Sequence, residues 1–163
     1  MNNRRTLLGL IAAMPAYVML GAAPAAAASG RFSVSFTPAE WKRRLGGDAY
    51  GVLREEATER PFTSLLNKEH RAGVFACRGC ALPLFSSAHK FDSGTGWPSF
   101  WQPINKTAVS STVDRSFFME RTEVHCSRCG GHQGHMFNDG PKPTGLRYCI
   151  NGLALSFAAG KSA

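Results

Sequence analysis

Five cysteines stand in this chain of 163 residues, and their spacing divides them unequally. Four fall in two C-x-x-C turns, "C-R-G-C" at Cys77 and Cys80 and "C-S-R-C" at Cys126 and Cys129. The fifth, Cys149 in "R-Y-C-I-N", has no cysteine near it in sequence. A C-x-x-C turn lets two sulfurs point at one ion, and two such turns complete a tetrahedral set of thiolates. That pattern predicts a structural zinc site; disulfides and a rubredoxin-like iron centre are the competing readings. The 45 residues between Cys80 and Cys126 exceed the span of a free-standing zinc ribbon. The ion is therefore expected to tie two distant strands of a larger domain.

Cys149 is either a buried structural thiol or a nucleophile. If 146–157 is one strand, Arg147, Cys149 and Asn151 share a face. A cation two residues from a thiol on the same face favours the thiolate. Asn151 offers hydrogen bonds to a ligand or a neighbouring ring. Upstream, "C-G-G-H-Q-G-H-M-F-N-D-G" places His132 and His135 between glycines that would let both rings converge. They can equally be surface histidines or further metal ligands. The loop "S-G-T-G-W-P-S-F" presents Trp97 as a flat wall for a small pocket, or as core filling.

The elements that must position these residues read as mainly β. Short runs of β-branched and aromatic residues after Ala72 alternate with turn-rich stretches. They predict an antiparallel β domain with helical decoration at its N-terminal end. "F-T-P-A-E-W-K-R-R-L-G-G" marks one helix, with Thr37 as N-cap, Pro38 at the first helical position, Glu40 closing a capping box and Gly46 and Gly47 ending it. A further helical turn is expected over 55–60.

Residues 1–28 carry Arg4 and Arg5, an apolar run from Leu7 to about Leu20 and an Ala-rich end, the anatomy of an export signal. The run is short for a spanning helix, and the adjacent arginines resemble a twin-arginine signal. The expectation is export of a folded domain, residues 29–163, to a bacterial periplasm, with no stable membrane insertion after cleavage. The formal charge of +8 falls to +6 without Arg4 and Arg5, and to +4 with a tetrathiolate zinc site. Basic residues are scattered, and no aromatic–basic stripe accompanies the cysteine turns, which argues against nucleic-acid binding.

"T-E-R-P-F-T", "G-W-P-S-F", the two C-x-x-C turns and "H-C-S-R-C-G-G-H-Q-G-H-M-F-N-D-G-P-K-P-T-G-L-R-Y-C-I-N" together closely resemble methionine sulfoxide reductase B, from about Pro38 to Phe157. The resemblance implies two antiparallel sheets (a β-tent) stapled by zinc on Cys77, Cys80, Cys126 and Cys129, and reduction of the R epimer of methionine sulfoxide. It implies Cys149 as nucleophile, His132 and His135 as proton donors, Asn151 holding substrate or water, Arg147 favouring the thiolate, and Trp97 with Phe137 enclosing the ε-methyl. Many members carry a resolving cysteine as "S-G-C-G-W-P-S-F"; this chain has Thr95 there. An external, thioredoxin-like thiol donor is then expected to recycle a Cys149 sulfenic acid. A monomer is the default. The rival from another class is a zinc-stapled peptide-binding domain without catalysis.

Overall fold

In a computed structural model the described residues are 32–115 and 120–160. The expected export signal therefore lies outside the described residues, as does the start of the domain at 29. Among the described residues no helix is long and apolar enough to cross a membrane.

Two short helices come first. α1, Pro38–Leu45, begins at the capping box expected from sequence: the Thr37 side chain accepts from the Glu40 amide, and the Glu40 carboxylate accepts from the Thr37 amide. Gly46 ends it at φ 77°, yet Gly47 opens a second helix, α2, Gly47–Glu55. The expectation of a stop at both glycines and a helical turn over 55–60 is thus corrected. The glycines form a hinge between two helices, and Glu56 in the left-handed region ends the second. Trp41, Leu45, Ala49, Val52 and Leu53 turn one shared apolar face inward.

The rest is mainly β, as expected, in two antiparallel sheets. β1 (Gly73–Cys77), β2 (Pro83–Ser86) and β9 (Leu155–Ala159) form a sheet ordered β2-β1-β9. β3 (Lys90–Phe91), β4 (Ser99–Phe100), β5 (Val109–Asp114), β6 (Arg121–Cys126), β7 (His132–Phe137) and β8 (Arg147–Ile150) form the second, ordered β3-β4-β8-β7-β6-β5. The predicted strand over 146–157 is really two. It breaks at a single 3-10 turn, Gly152–Ala154, and its halves join different sheets. The break is held by a buried carboxylate: Glu59 accepts from the Gly152 and Leu153 amides at 2.5 and 2.9 Å. A polar backbone turn buried here would otherwise lose hydrogen bonds to water.

Phenylalanines from both sheets fill the core between them. Phe85 stacks on Phe100 with centroids 4.4 Å apart, and Phe75 meets Phe100 edge-on at 5.0 Å. All three are fully buried. Such rings bring large apolar area together with an added preference for stacked and edge-on geometry. They pack one face of the six-stranded sheet against the other sheet.

Candidate active site

Register, more than sequence distance, builds the site. Across the six-stranded sheet Ser99 pairs with Cys149, Cys149 with His135, His135 with Glu123 and Glu123 with Thr112. Five strands thus place one row of reactive and polar side chains on a single face. Their sequence neighbours Val124, Met136 and Tyr148 point the other way and line a larger hollow of about 400 Å³ that holds neither thiol nor histidine. Size alone would not single out the hollow that holds the thiol.

His132 and His135 are three apart, so on a regular strand they would face opposite sides. The register between β6 and β7 slips between Val124 and His125, leaving His132 opposite His125 and His135 opposite Glu123. This bulge returns both rings to the reactive face, with centroids 5.5 Å apart. Gly134 makes it possible: its φ is 150°, and a Cβ there would lie 2.1 Å from the Cys149 carbonyl oxygen. The convergence expected from the flanking glycines is present.

Each histidine has a carboxylate partner that sequence reading did not find. His132 Nδ1 donates to Glu123 Oε1 at 2.7 Å, and Thr112 Oγ1 donates to Glu123 Oε2 at 3.0 Å. His135 Nε2 donates to Asp114 Oδ2 at 3.0 Å, a carboxylate also bound by Arg121 at 2.7 Å. A carboxylate only accepts, so the ring nitrogen facing it carries the proton. Burial pushes the Glu123 carboxyl up, but the His132 ring and the Thr112 hydroxyl outweigh it and hold it below its ordinary value. Burial pushes the His135 pKa down, opposed in part by Asp114. His132 is 3% exposed, and its Nε2 has no hydrogen-bond partner among the described residues.

A cavity of about 140 Å³ opens over Cys149, walled by Trp97, Phe137, His135, Asn151, Arg121 and Thr58. His132 sits behind His135 rather than in this wall. Arg147 also stays outside it: its guanidinium makes two 2.8 Å bonds to Asp139 and lies 4.3 Å over the Phe137 ring. Burial pushes the Cys149 thiol above its ordinary value, and the Thr95 hydroxyl and then the Arg147 charge work against that rise. Thr95 Oγ1 lies 3.9 Å from Cys149 Sγ and heads a chain of hydroxyls, Thr95 to Ser93 at 2.8 Å and Ser93 to Ser99 at 2.7 Å. Asn151 lines the cavity but is committed to structure as well. Its Oδ1 accepts from the Glu59 amide at 3.0 Å, and its Nδ2 donates to the Gln133 carbonyl at 3.1 Å. Trp97 Nε1 donates to the Glu59 carbonyl at 3.1 Å. The segment around Glu59 therefore fixes the cavity wall, the amide and the break after β8 together.

The other four cysteines cluster at the far end of the strands. Cys77 ends β1 in one sheet and Cys126 ends β6 in the other. Both turns fold alike: Ala81 and Gly130 donate to the Cys77 and Cys126 carbonyls at 2.8 Å, and take φ of 57° and 66°. All four sulfurs lie within 4.8 Å of one another, with Cys80 and Cys126 3.5 Å apart and Cys77 and Cys129 3.7 Å apart. A disulfide bond is about 2.05 Å long, so these thiols are not bonded to each other. Metal–sulfur bonds of about 2.3 Å give a tetrahedral edge of roughly 3.8 Å, which the spacing fits. Hydrogen bonds from neighbouring thiols hold Cys126 below the usual thiol range and push Cys77 above it. A divalent cation is what would let all four ionise together. Helix α2 covers the cluster, with Arg54 donating to the Cys129 carbonyl at 2.9 Å and lying over Trp41.

Comparison with known proteins identifies the family. The SelR domain profile matches residues 45–159. A peptide methionine sulfoxide reductase MsrB of Leptospira interrogans serogroup Icterohaemorrhagiae serovar Lai is 49% identical over 126 residues, 77% of this chain and 96% of that protein. Those of Bradyrhizobium diazoefficiens and Methanosarcina barkeri are 56% and 53% identical over 116 and 118 residues, covering 71% and 72% of this chain and 84% and 83% of theirs. The chain belongs to the SelR-domain family, the methionine sulfoxide reductases B.

Proposed function

We propose that this chain reduces the R epimer of peptide-bound methionine sulfoxide, with Cys149 as the nucleophile. The observation that carries the reading is the cavity over Cys149, with His135 opposite it in register and Trp97 and Phe137 as walls. Family membership makes the chain an enzyme and disfavours the non-catalytic peptide-binding alternative.

The Cys149 thiolate attacks the sulfoxide sulfur. As the S–O bond polarises, the oxygen must gain protons; His135 in the wall and His132 behind it are the donors, each as an imidazolium whose second ring nitrogen also carries a proton, directly or in relay. The Nε2 of His132 has no partner among the described residues, and a bridging water in a relay to His135 would supply one. Glu123 and Asp114 act as positioning residues that fix the two rings and their tautomers. A placed general acid contributes roughly 10²–10⁴ in rate. Trp97 and Phe137 enclose the ε-methyl, so one epimer alone presents its oxygen to the imidazoles. The protonated oxygen leaves as water, water attacks the Cys149 sulfur, and the bond between the two sulfurs breaks. Methionine departs with its sulfur reduced by two electrons, and Cys149, oxidised by two, carries a hydroxyl as a sulfenic acid. Thr95 occupies the place of a resolving thiol, so an external, thioredoxin-like dithiol condenses with the sulfenic acid, releases water and regenerates the thiol as its own disulfide.

Cys77, Cys80, Cys126 and Cys129 would hold one zinc ion, a structural clasp between the sheets. Arg4, Arg5 and the apolar run behind them support export by the twin-arginine route to the periplasm, and repair of oxidised exported proteins there. The experiment that tests the catalytic reading offers purified R and S epimers of N-acetylmethionine sulfoxide with dithiothreitol. Turnover of R alone, abolished by Cys149→Ser, is expected; equal turnover of both epimers would remove the basis of the methyl-pocket argument.

A further inference from the structure

Phe62 is an exposed aromatic side chain on a backbone held in an uncommon conformation. Its side chain is 72% exposed, and its φ of 65° lies in the left-handed region, which a bulky side chain rarely adopts. Such strain persists only where surrounding contacts impose it. Here they do: the Phe62 amide donates to the Gly96 carbonyl at 2.8 Å, and Asn67 Nδ2 donates to the same oxygen at 2.8 Å. Gly96 lets the segment approach closely, since a Cβ there would lie 2.8 Å from the Phe62 nitrogen. With Trp97 Nε1 on the Glu59 carbonyl, three hydrogen bonds lock this segment to the loop that carries the cavity wall.

Leu65 and Val113 are also large, apolar and exposed among the described residues. Phe62 differs from them in its surroundings. It lines a second hollow of about 210 Å³ whose other walls include Trp97, Lys90 and Asp92. Trp97 is thus shared: one cavity holding Trp97 contains Cys149, the other contains Phe62. Lys90 is half-buried in the second hollow and donates to the Asn67 carbonyl at 2.9 Å, so its ammonium retains donors for another acceptor.

We propose that Phe62 and this hollow form a docking subsite for the polypeptide flanking the oxidised methionine, with Phe62 taking an apolar side chain and Lys90 a backbone carbonyl of the substrate. This deepens the reductase reading above and rests on it. An extended peptide advances about 3.3 Å per residue, so residues beside the sulfoxide must lie against whatever borders the cavity. The occupant is an unfolded segment, because a folded client would not thread an extended chain past Trp97. An aromatic ring held in place before binding loses little freedom on contact, which makes it an effective anchor.

The test compares kcat/KM for a peptide carrying methionine sulfoxide flanked by leucines with that for N-acetylmethionine sulfoxide, in wild type, Phe62→Ala and Phe62→Tyr. The peptide-to-small-substrate ratio should fall about tenfold in Phe62→Ala, mainly through KM, and recover in Phe62→Tyr. An unchanged ratio in Phe62→Ala, with wild type active on both substrates, would overturn the docking subsite alone. Wild type inactive on both would overturn the reductase reading and the subsite with it.

Discussion

The four-cysteine cluster and the Cys149 cavity use the same atom in opposite ways. In the cluster, sulfurs 3.5 to 4.8 Å apart face one another under a helical cover, and two near-identical turns supply them. In the cavity one sulfur stands alone, and the groups around it come from strands far apart in sequence. The first region resists change because a bound ion would make every ligand depend on the others. In the proposed reaction the second must bind and release, and the carboxylates that hold its histidines, Glu123 and Asp114, lie outside the cavity wall. Position in the sheets separates a clasp from a reagent. Residue type does not.

The largest effect expected from disturbing this contrast is at the clasp. Cys126→Ser should abolish stoichiometric zinc, measured by elemental analysis, and remove several kcal/mol of stability, enough to unfold a domain stable by about 5–15 kcal/mol. Cys149→Ser should instead retain zinc and shift Tm by no more than about 2–4 °C in thermal unfolding. Similar losses at both positions would erase the distinction.

Glu123→Gln comes next. It keeps the shape but removes the anionic acceptor of His132, so kcat should fall roughly tenfold to a hundredfold with KM little changed. A change confined to KM would mean that Glu123 does not act through the imidazole.

The smallest effect sharpens the thiol's own environment. Because burial raises the Cys149 pKa and the Thr95 hydroxyl opposes it, iodoacetamide alkylation should rise with pH along a limb above that of an ordinary thiol. Thr95→Val should move that limb to still higher pH and slow alkylation about fivefold at fixed pH, the worth of one hydrogen bond near 1 kcal/mol. Thr95→Ser should restore it. Identical limbs in all three proteins would remove Thr95 from the account.

Much of this was legible in the chain because the signals are local. C-x-x-C turns, the capping box at Thr37 and Glu40, and the glycines around His132 and His135 each state their geometry within a few residues. What escaped depends on pairing between strands. Asp114 and Glu123 became histidine partners only through the β5-β6-β7 register, although the polar alternation of Arg121 and Glu123 hinted at an uncovered face. The split of 146–157 was hidden because the residue that stabilises the break, Glu59, lies 93 positions away from Gly152. The second helix was missed because two adjacent glycines read as a stop, whereas Gly46 alone takes the left-handed backbone there. Phe62 lies in the motif T-E-R-P-F-T, yet nothing in its residue type marked it out, since exposure and backbone strain exist only in three dimensions.

One measurement bears most directly on the division of the five sulfurs. The native protein is given one equivalent of R-methionine sulfoxide without reductant, then dimedone, and is analysed by peptide mass spectrometry and for zinc. The expected result is one methionine formed per chain, the dimedone adduct on Cys149 alone, and zinc retained on four unmodified cysteines. A disulfide joining Cys149 to Cys77, Cys80, Cys126 or Cys129, with zinc released, would contradict it.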